Sequence, residues 1–307
     1  MTDLIEKSKY KRPAHHMIVA IVFAILSAIF FALASIIAKY ALAYLDELTG
    51  AFISVLTMAV VFWCVAIWNL EWDFWYSEAT LYFVIAGLFL PALGQRFQIL
   101  AVKHVGPTLT SAIGAFLPLF AILPAILYLG ETVTLFQFVG ITLLVGGLIL
   151  AAVGRGISWR KRAFYLVLLP LCAAIVRAIA QPISKVGYNI LAEPMFAMMV
   201  MTTVSSLVVG VMLLVQGSPK RALSFTRGHW LFALVGAVTG SGILAIQVSL
   251  VAGSVTLTSA LSSVAPVFSV LLGAYIFKNE RIFWWHGVVA VMVCLGAVFI
   301  VAGHSAI

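Results

Sequence analysis

The stretch Thr108-Leu109-Thr110-Ser111-Ala112 recurs letter for letter as Thr256-Leu257-Thr258-Ser259-Ala260. Each copy is followed at the same distance by Pro-x-Phe, as Pro118 with Phe120 and Pro266 with Phe268. Chance accounts poorly for both together. Glu131 then matches Glu280, and the step from each acid to a later glycine, Gly147 or Gly296, is the same. Upstream, Gln98 pairs with Gln247, and Ala34 through Lys39 lines up with Ala180 through Lys185 at a nearly equal offset. The chain is one pattern written twice.

Both copies are strongly apolar. Of the 307 residues 64% are hydrophobic and 9% charged, whereas a soluble domain carries roughly a quarter charged residues. Mean hydropathy is +1.16, which excludes a cytosolic enzyme. A bilayer crossing takes about 20 mainly apolar residues. Apolar runs bounded by charges, Gly or Pro predict spans over 17–38, 50–69, 79–102, 107–129, 133–153, 163–186, 194–215, 229–251, 255–277 and 283–303. Little remains for a soluble domain, so function has to be built inside or between the membrane helices.

The first span follows Lys7, Lys9, Lys11 and Arg12, and Ala32-Leu33-Ala34 has the form of a signal-peptide cleavage site. Its pairing with span 6 argues instead that it is retained. The expected organisation is a basic tail over 1–16, a first five-helix repeat over 17–153, a basic linker over 154–162, a second repeat over 163–303 and a tail over 304–307. An odd number of helices per half makes the second half enter the membrane from the opposite side. The expected fold is therefore an all-α integral membrane protein with ten transmembrane helices in two inverted five-helix repeats. Transporters use such repeats to expose a shared site to either side in turn.

Pro118-Leu119-Phe120, then Leu129-Gly130-Glu131, then Gln137, Gly140 and Gly147, together resemble the signature of the EamA-like branch of the drug/metabolite transporter superfamily. Lys39 and Lys185, closing spans 1 and 6, are similar to that family as well. The resemblance runs from about 18 to 303; the second copy departs from it, with Asn279-Glu280 in place of Gly-Glu and Gly287 two residues early. It implies ten helices, both termini cytoplasmic, a location in the cell (inner or plasma) membrane and a central cavity lined mainly by spans 1, 3, 4, 6, 8 and 9. The family's frequent role is export.

The charges bear on orientation. Lys plus Arg is 18 against 10 for Asp plus Glu, a net charge of +8. Most of these lie in loops, where they meet lipid headgroups; no basic helix or aromatic-interleaved sheet points to nucleic acid. With the N-terminus inside, five Lys and Arg fall on the cytoplasmic side (Lys7, Lys9, Lys11, Arg12 and Lys185) and eleven outside, among them Arg155, Arg160, Lys161 and Arg162. The positive-inside rule prefers the reverse, while the basic tail and the resemblance favour the N-terminus inside.

Two charges fall within spans, Arg96 and Arg177. An arginine at mid-bilayer costs at least a few kcal/mol and normally faces a cavity, a partner or a functional site. No Asp or Glu lies deep in any span to pair with them. In the repeat Arg177 stands opposite Phe31 and Arg96 opposite Ala245, so neither is demanded by the shared scaffold, which suits substrate recognition. Against this, Arg96, seven residues from Lys103, can snorkel toward the interface. Gln181 is one turn from Arg177, and Gln95 and Gln98 flank Arg96. The candidate substrate-binding set is Arg177, Arg96, Gln181, Gln95, Gln98 and Gln247. The recurrence of Gln98 and Gln247 equally fits helix-to-helix hydrogen bonds.

The Thr-Leu-Thr-Ser-Ala runs open helices whose free N–H groups favour anions, with capping as the alternative. Glu131 and Glu280 are placed to cap the helix that follows each, and Lys39 and Lys185 to anchor helix ends. Prolines such as Pro91, Pro118, Pro170 and Pro266 can kink their helices. Gly236-x-x-x-Gly240 allows close packing. The cysteines Cys64, Cys172 and Cys294 are far apart, and none of the six histidines forms a metal-ligand spacing. No nucleotide or dinucleotide loop is present, so neither cofactor nor metal is expected.

The expected function is a secondary transporter, in the export direction, for a small anionic or zwitterionic metabolite such as an amino acid or organic acid, working by alternating access. The expected partners are that small-molecule substrate and membrane lipids, with the chain as monomer or homodimer. Rival readings are a flippase for lipid or lipid-linked phosphate, and an intramembrane enzyme, which lacks a nucleophile with a base beside it.

Overall fold

The computed structural model describes residues 14–66, 70–114, 116–153, 163–216, 226–277 and 284–305. The basic linker with Arg155, Arg160, Lys161 and Arg162, the tail up to Pro13, and Glu280 lie outside them. Every regular element described is helical. In chain order these are α1 (Ala14–Ala41), α2 (Glu47–Ala66), a 3-10 turn (Trp72–Tyr76), α3 (Ala79–Gly87), a π turn (Leu88–Leu93), α4 (Gly94–Gly114), α5 (Leu117–Leu129) and α6 (Leu135–Val153). The second half holds α7 (Ala163–Ile190), α8 (Pro194–Val215), α9 (Arg227–Ala252), α10 (Val255–Ser262), α11 (Ala265–Phe277) and α12 (Trp284–Ser305).

Seven helices among the described residues are long and apolar enough to cross a membrane, and Leu117–Leu129 and Leu135–Gly147 are shorter apolar helices. Among the described residues three of the ten expected spans are interrupted. The third expected span turns through the π segment at Pro91, where Leu90 is extended (φ −131°, ψ 121°). It ends at Gly106, whose φ of 81° is open to a residue without Cβ, and Pro107 follows. The fourth is divided between the end of α4 and α5, and the ninth between α10 and α11. Pro118 and Pro266 stand second in α5 and α11, in the first turn, where a missing N–H is tolerated. The repeat thus extends to a helix break shortly after each Thr-Leu-Thr-Ser-Ala run.

Small residues draw the helices together, as interfaces in lipid require. Ala20, Ala24 and Ala28 form a fully buried strip on α1, and α9 lies against it: a Cβ on Gly242 would come within 3.1 Å of Phe30. On α9, Gly236 packs on the backbone of Ser54 in α2, and Gly240 on Met58 and Phe62. The pairings join elements that correspond in the repeat, α2 with α8 and α6 with α12, while α1 against α9 is reciprocated by α7 against α3 and α4. Reciprocity of this kind is the mark of a twofold relation.

Polar contacts fix the direction of each half. Ser249 Oγ donates to Ala20 O at 2.9 Å, so the C-terminal end of α9 lies beside the N-terminal end of α1. At the other end the Arg227 guanidinium sits over the Tyr44 ring, 5.7 Å from its centroid. Lys185 Nζ, on α7, donates to Leu250 O and, at 2.7 Å, to Gly253 O, which brings the C-terminal end of α7 to the first of these ends. α1 and its repeat counterpart α7 therefore run in opposite directions.

Glu131 marks that same end. Its Oε1 accepts from Val255 N at 2.7 Å, and its Oε2 from Thr256 N at 3.0 Å and Thr256 Oγ1 at 2.7 Å. The expectation that Glu131 caps the following helix is corrected here. α6 is capped by Thr134 and Gln137, which exchange backbone-to-side-chain hydrogen bonds at 3.0 and 3.3 Å, and Glu131 instead caps α10 in the other half. The two faces of the molecule are referred to below as the Glu131 end and the Ala41 end.

Candidate functional site

Arg177 lies near the middle of α7, with its guanidinium carbon 4.2 Å from the centroid of the Phe31 ring on α1. That cation–π contact is favoured where water is excluded. The aliphatic stem of Arg177 passes beside Gly94 of α4, where a Cβ would lie 3.7 Å from Arg177 Cγ, an ordinary contact distance. Arg177 Nε is buried with no hydrogen-bond partner in the protein, and among the described residues no carboxylate pairs with the side chain. A guanidinium that is buried, always charged and unpaired has its donors free for an anion.

Two narrow cavities meet at Arg177. The first runs toward the Ala41 end, between Ala34, Ser35 and Ala38 of α1, Gln95, Gln98 and Val102 of α4, and Val235 and Thr239 of α9. The second lies at the two helix breaks, among Thr110, Ser111 and Gly114 of α4, Leu117 of α5, Ser262 and Ser263 at the end of α10, and Ala265 of α11. Phe31, Gln98 and Arg177 line both. In the second cavity the N-terminal ends of α5 and α11 approach Arg177, so partial positive charge from two helix ends adds to its full charge.

The sequence-derived candidates separate. Arg177, Gln95 and Gln98 are brought together in the cavity walls, and Gln98 Nε2 donates to Ser35 Oγ at 3.1 Å. Arg96 turns to α8, its Nη1 against Met212 Sδ at 3.3 Å, and lines neither cavity. Gln181 is 1% exposed, with neither amide atom partnered. Gln247 places Nε2 against Met201 Sδ at 3.1 Å and leaves Oε1 without a partner. The N-terminus of α10, read from sequence as open to anions, already holds the Glu131 carboxylate.

Several wall residues escaped the sequence reading. Phe31 was visible only as the repeat counterpart of Arg177, and that offset was its signal. Ser35 lay inside the repeated stretch Ala34–Lys39 without standing out from it, and Thr239 was one of several hydroxyls in an apolar helix. Ser111 Oγ lies 2.8 Å from Ser269 Oγ of α11, joining the halves beside the second cavity. Among the described residues no group of three His, Cys, Asp or Glu side chains is placed to hold a metal ion.

Comparison with known proteins divides the chain at the same place. The model of the EamA-like transporter family matches residues 18–153 and again 164–302. A solved crystal structure of a protein 15% identical in sequence matches with a TM-score of 0.71, over 91% of this chain and 97% of that one, a likeness of fold alone. No curated protein matches the sequence significantly.

Proposed function

The chain belongs to the EamA-like transporter family and is a multi-pass membrane protein, and from that premise we propose that it is a secondary transporter of small anionic or zwitterionic metabolites, such as amino acids or organic acids, with Arg177 as the anion-binding group. The observation that carries this reading is the unpaired guanidinium on the Phe31 ring, in the wall common to both cavities. A carboxylate there receives charge-assisted hydrogen bonds from Arg177, while Gln95 and Gln98 are positioned for an amine or hydroxyl on the same solute. Both cavities are narrow, so the solute has to part the walls, which agrees with alternating access between two repeats. On the reading taken from the resemblance, the protein sits in the cell membrane and works as an exporter.

Thermal stabilisation of the purified protein by a panel of carboxylates, amino acids and phosphorylated solutes tests the assignment. Charge-assisted hydrogen bonds contribute about 1.5–3 kcal/mol each, so Arg177→Ala is expected to need at least about tenfold more solute for the same shift. Arg177→Lys should keep part of the response, and Arg96→Ala should behave as the unmodified protein does. Equal stabilisation of Arg177→Ala and the unmodified protein, or none of either, overturns it. Stabilisation confined to phospholipids would instead favour a flippase.

A further inference from the structure

Among the described residues, six carry a buried side-chain nitrogen or oxygen with no partner in the protein. Four of them, Arg177, Gln181, Ser184 and Tyr188, are on α7 at steps of four, three and four residues, which is one face of a helix. A fifth, Gln247, lies on α9. Lys185 of α7 reaches Leu250 O of α9, and Gln181 and Gln247 stand one turn back along these same helices, on the same seam. Gln181, Ser184 and Gln247 are each 1% exposed. Buried polar groups are nearly always paired, because an unpaired one costs stability. A row of them in a membrane protein is a feature to be explained.

The repeat explains it. The offset that places Phe31 opposite Arg177 places Ser35 opposite Gln181 and Ala38 opposite Ser184, and the offset for the following spans places Gln98 opposite Gln247. Ser35, Ala38 and Gln98 line the cavity running to the Ala41 end. α1 and α7 run in opposite directions, so the matching strip on α7 runs from Arg177 to the Glu131 end. There it is packed shut: Tyr188 lies against Phe83 at 5.1 Å between ring centroids, Phe83 against Phe196 at 6.3 Å, and Glu131 and Lys185 tie down α10 and the end of α9.

We propose that Gln181, Ser184 and Gln247 line a second half-path for the solute, closed in this structure and opened when the Glu131 end parts. The inference rests on the transport reading above. The strip is neutral and rich in hydrogen-bonding groups. It therefore takes solutes that carry hydroxyl or amine groups beside the anionic group that Arg177 holds, and it selects against purely hydrocarbon acids. Glu131 acts as the latch, since its carboxylate is the anion that holds the N-terminal end of α10 in the opposite repeat.

Cysteine accessibility in a background with Cys64, Cys172 and Cys294 replaced by serine tests this without any solute. Ser184→Cys, Ala38→Cys and the packing control Ala24→Cys are each reacted with a charged maleimide, with and without Glu131→Gln. Removing the carboxylate's charge weakens three hydrogen bonds at once, so Ser184→Cys is expected to react at least about tenfold faster. Ala38→Cys should slow and Ala24→Cys stay unreactive. Thr256→Ala, which leaves the carboxylate on the backbone N–H groups, should act in the same direction by a smaller factor and serves where Glu131→Gln does not fold. The proposal is overturned if neither variant speeds Ser184→Cys, if Ala38→Cys speeds with it, or if Ala24→Cys rises in parallel. Failure of the Arg177 assignment appears only in the stabilisation panel, so the two outcomes are separable.

Discussion

At the scale of single residues, Lys185 shows how a buried charge is held in this fold. It is 7% exposed, and its ammonium donates to Leu250 O and Gly253 O, the carbonyl-rich end of α9 where the helix dipole is negative. Hydrogen bonds from a charged group contribute about 1.5–3 kcal/mol each, and removing the donor leaves the carbonyls unpaired. Lys185→Met is therefore expected to lower the thermal unfolding temperature of the purified protein by several degrees, since about 1 kcal/mol moves a domain of this size by roughly 2–4 °C. An unchanged midpoint would mean that these bonds contribute nothing net. The sequence placed Lys185 at a helix end, but the carbonyls it meets lie 65 and 68 positions away, and the groups capped by Glu131 lie 124 and 125 away. Spacing along a chain reports neighbours on the same helix, so partners across the repeat stay hidden until the helices pack. Arg177 was legible because no repeat counterpart and no carboxylate explained it. The direction of Arg96 was not, because Gln95, Arg96 and Gln98 are close in sequence and point to different sides of α4, and spacing alone does not say which side meets the cavity.

Among helices, the apolar pattern identified where the chain is helical and missed where it breaks. The runs over 107–129 and 255–277 read as continuous because hydropathy averages across a turn as easily as along a helix. Their breaks open the second cavity and bring two helix N-termini to Arg177. Pro118 and Pro266 were the available signal, being placed where a helix starts as readily as where one bends. Close packing was foretold at Gly236 and Gly240, which do meet α2, while a tighter crossing elsewhere was not. α6 and α12 cross at Gly140 and Gly296, where a Cβ on Gly140 would lie 2.6 Å from Gly296 O and 3.0 Å from Ile300 N. Those are backbone atoms and cannot turn aside, so Gly140→Ala is expected to destabilise the protein by about 1–3 kcal/mol, as overpacking does. On the same helix a Cβ on Gly146 would meet only the tip of Met292 at 3.4 Å. Gly146→Ala should be neutral or stabilising by up to about 1 kcal/mol through helix propensity. Thermal unfolding of both variants checks the pair, and equal midpoints would show that the two helices can separate at no cost.

For the whole molecule, two physical signals bear on which end faces the cytoplasm, and they point in opposite directions. Short loops obey the positive-inside rule, which counts Lys and Arg and gives little weight to acids. Lys39, Lys103 and Arg227 are at the Ala41 end, and the ion pair of Lys103 with Glu47 at 2.6 Å does not remove Lys103 from that count. By charge alone the Ala41 end belongs inside. The basic N-terminal tail and the family resemblance put it outside, and this is the orientation we adopt. In that orientation the first cavity leads toward the exterior and the closed strip on α7 faces the cytoplasm, which is an outward-facing arrangement. Tyr44, 50% exposed after α1, marks the Ala41 end. Tyr76, 89% exposed, marks the Glu131 end, because Trp75 beside it packs on Phe196 just past the end of α7. In a cysteine-free background, Tyr44→Cys is expected to react with an impermeant maleimide in intact cells, and Tyr76→Cys only after permeabilisation. The converse pattern would place the Ala41 end in the cytoplasm, as the lysine and arginine count prefers, and would make the first cavity the entrance for cytoplasmic solute.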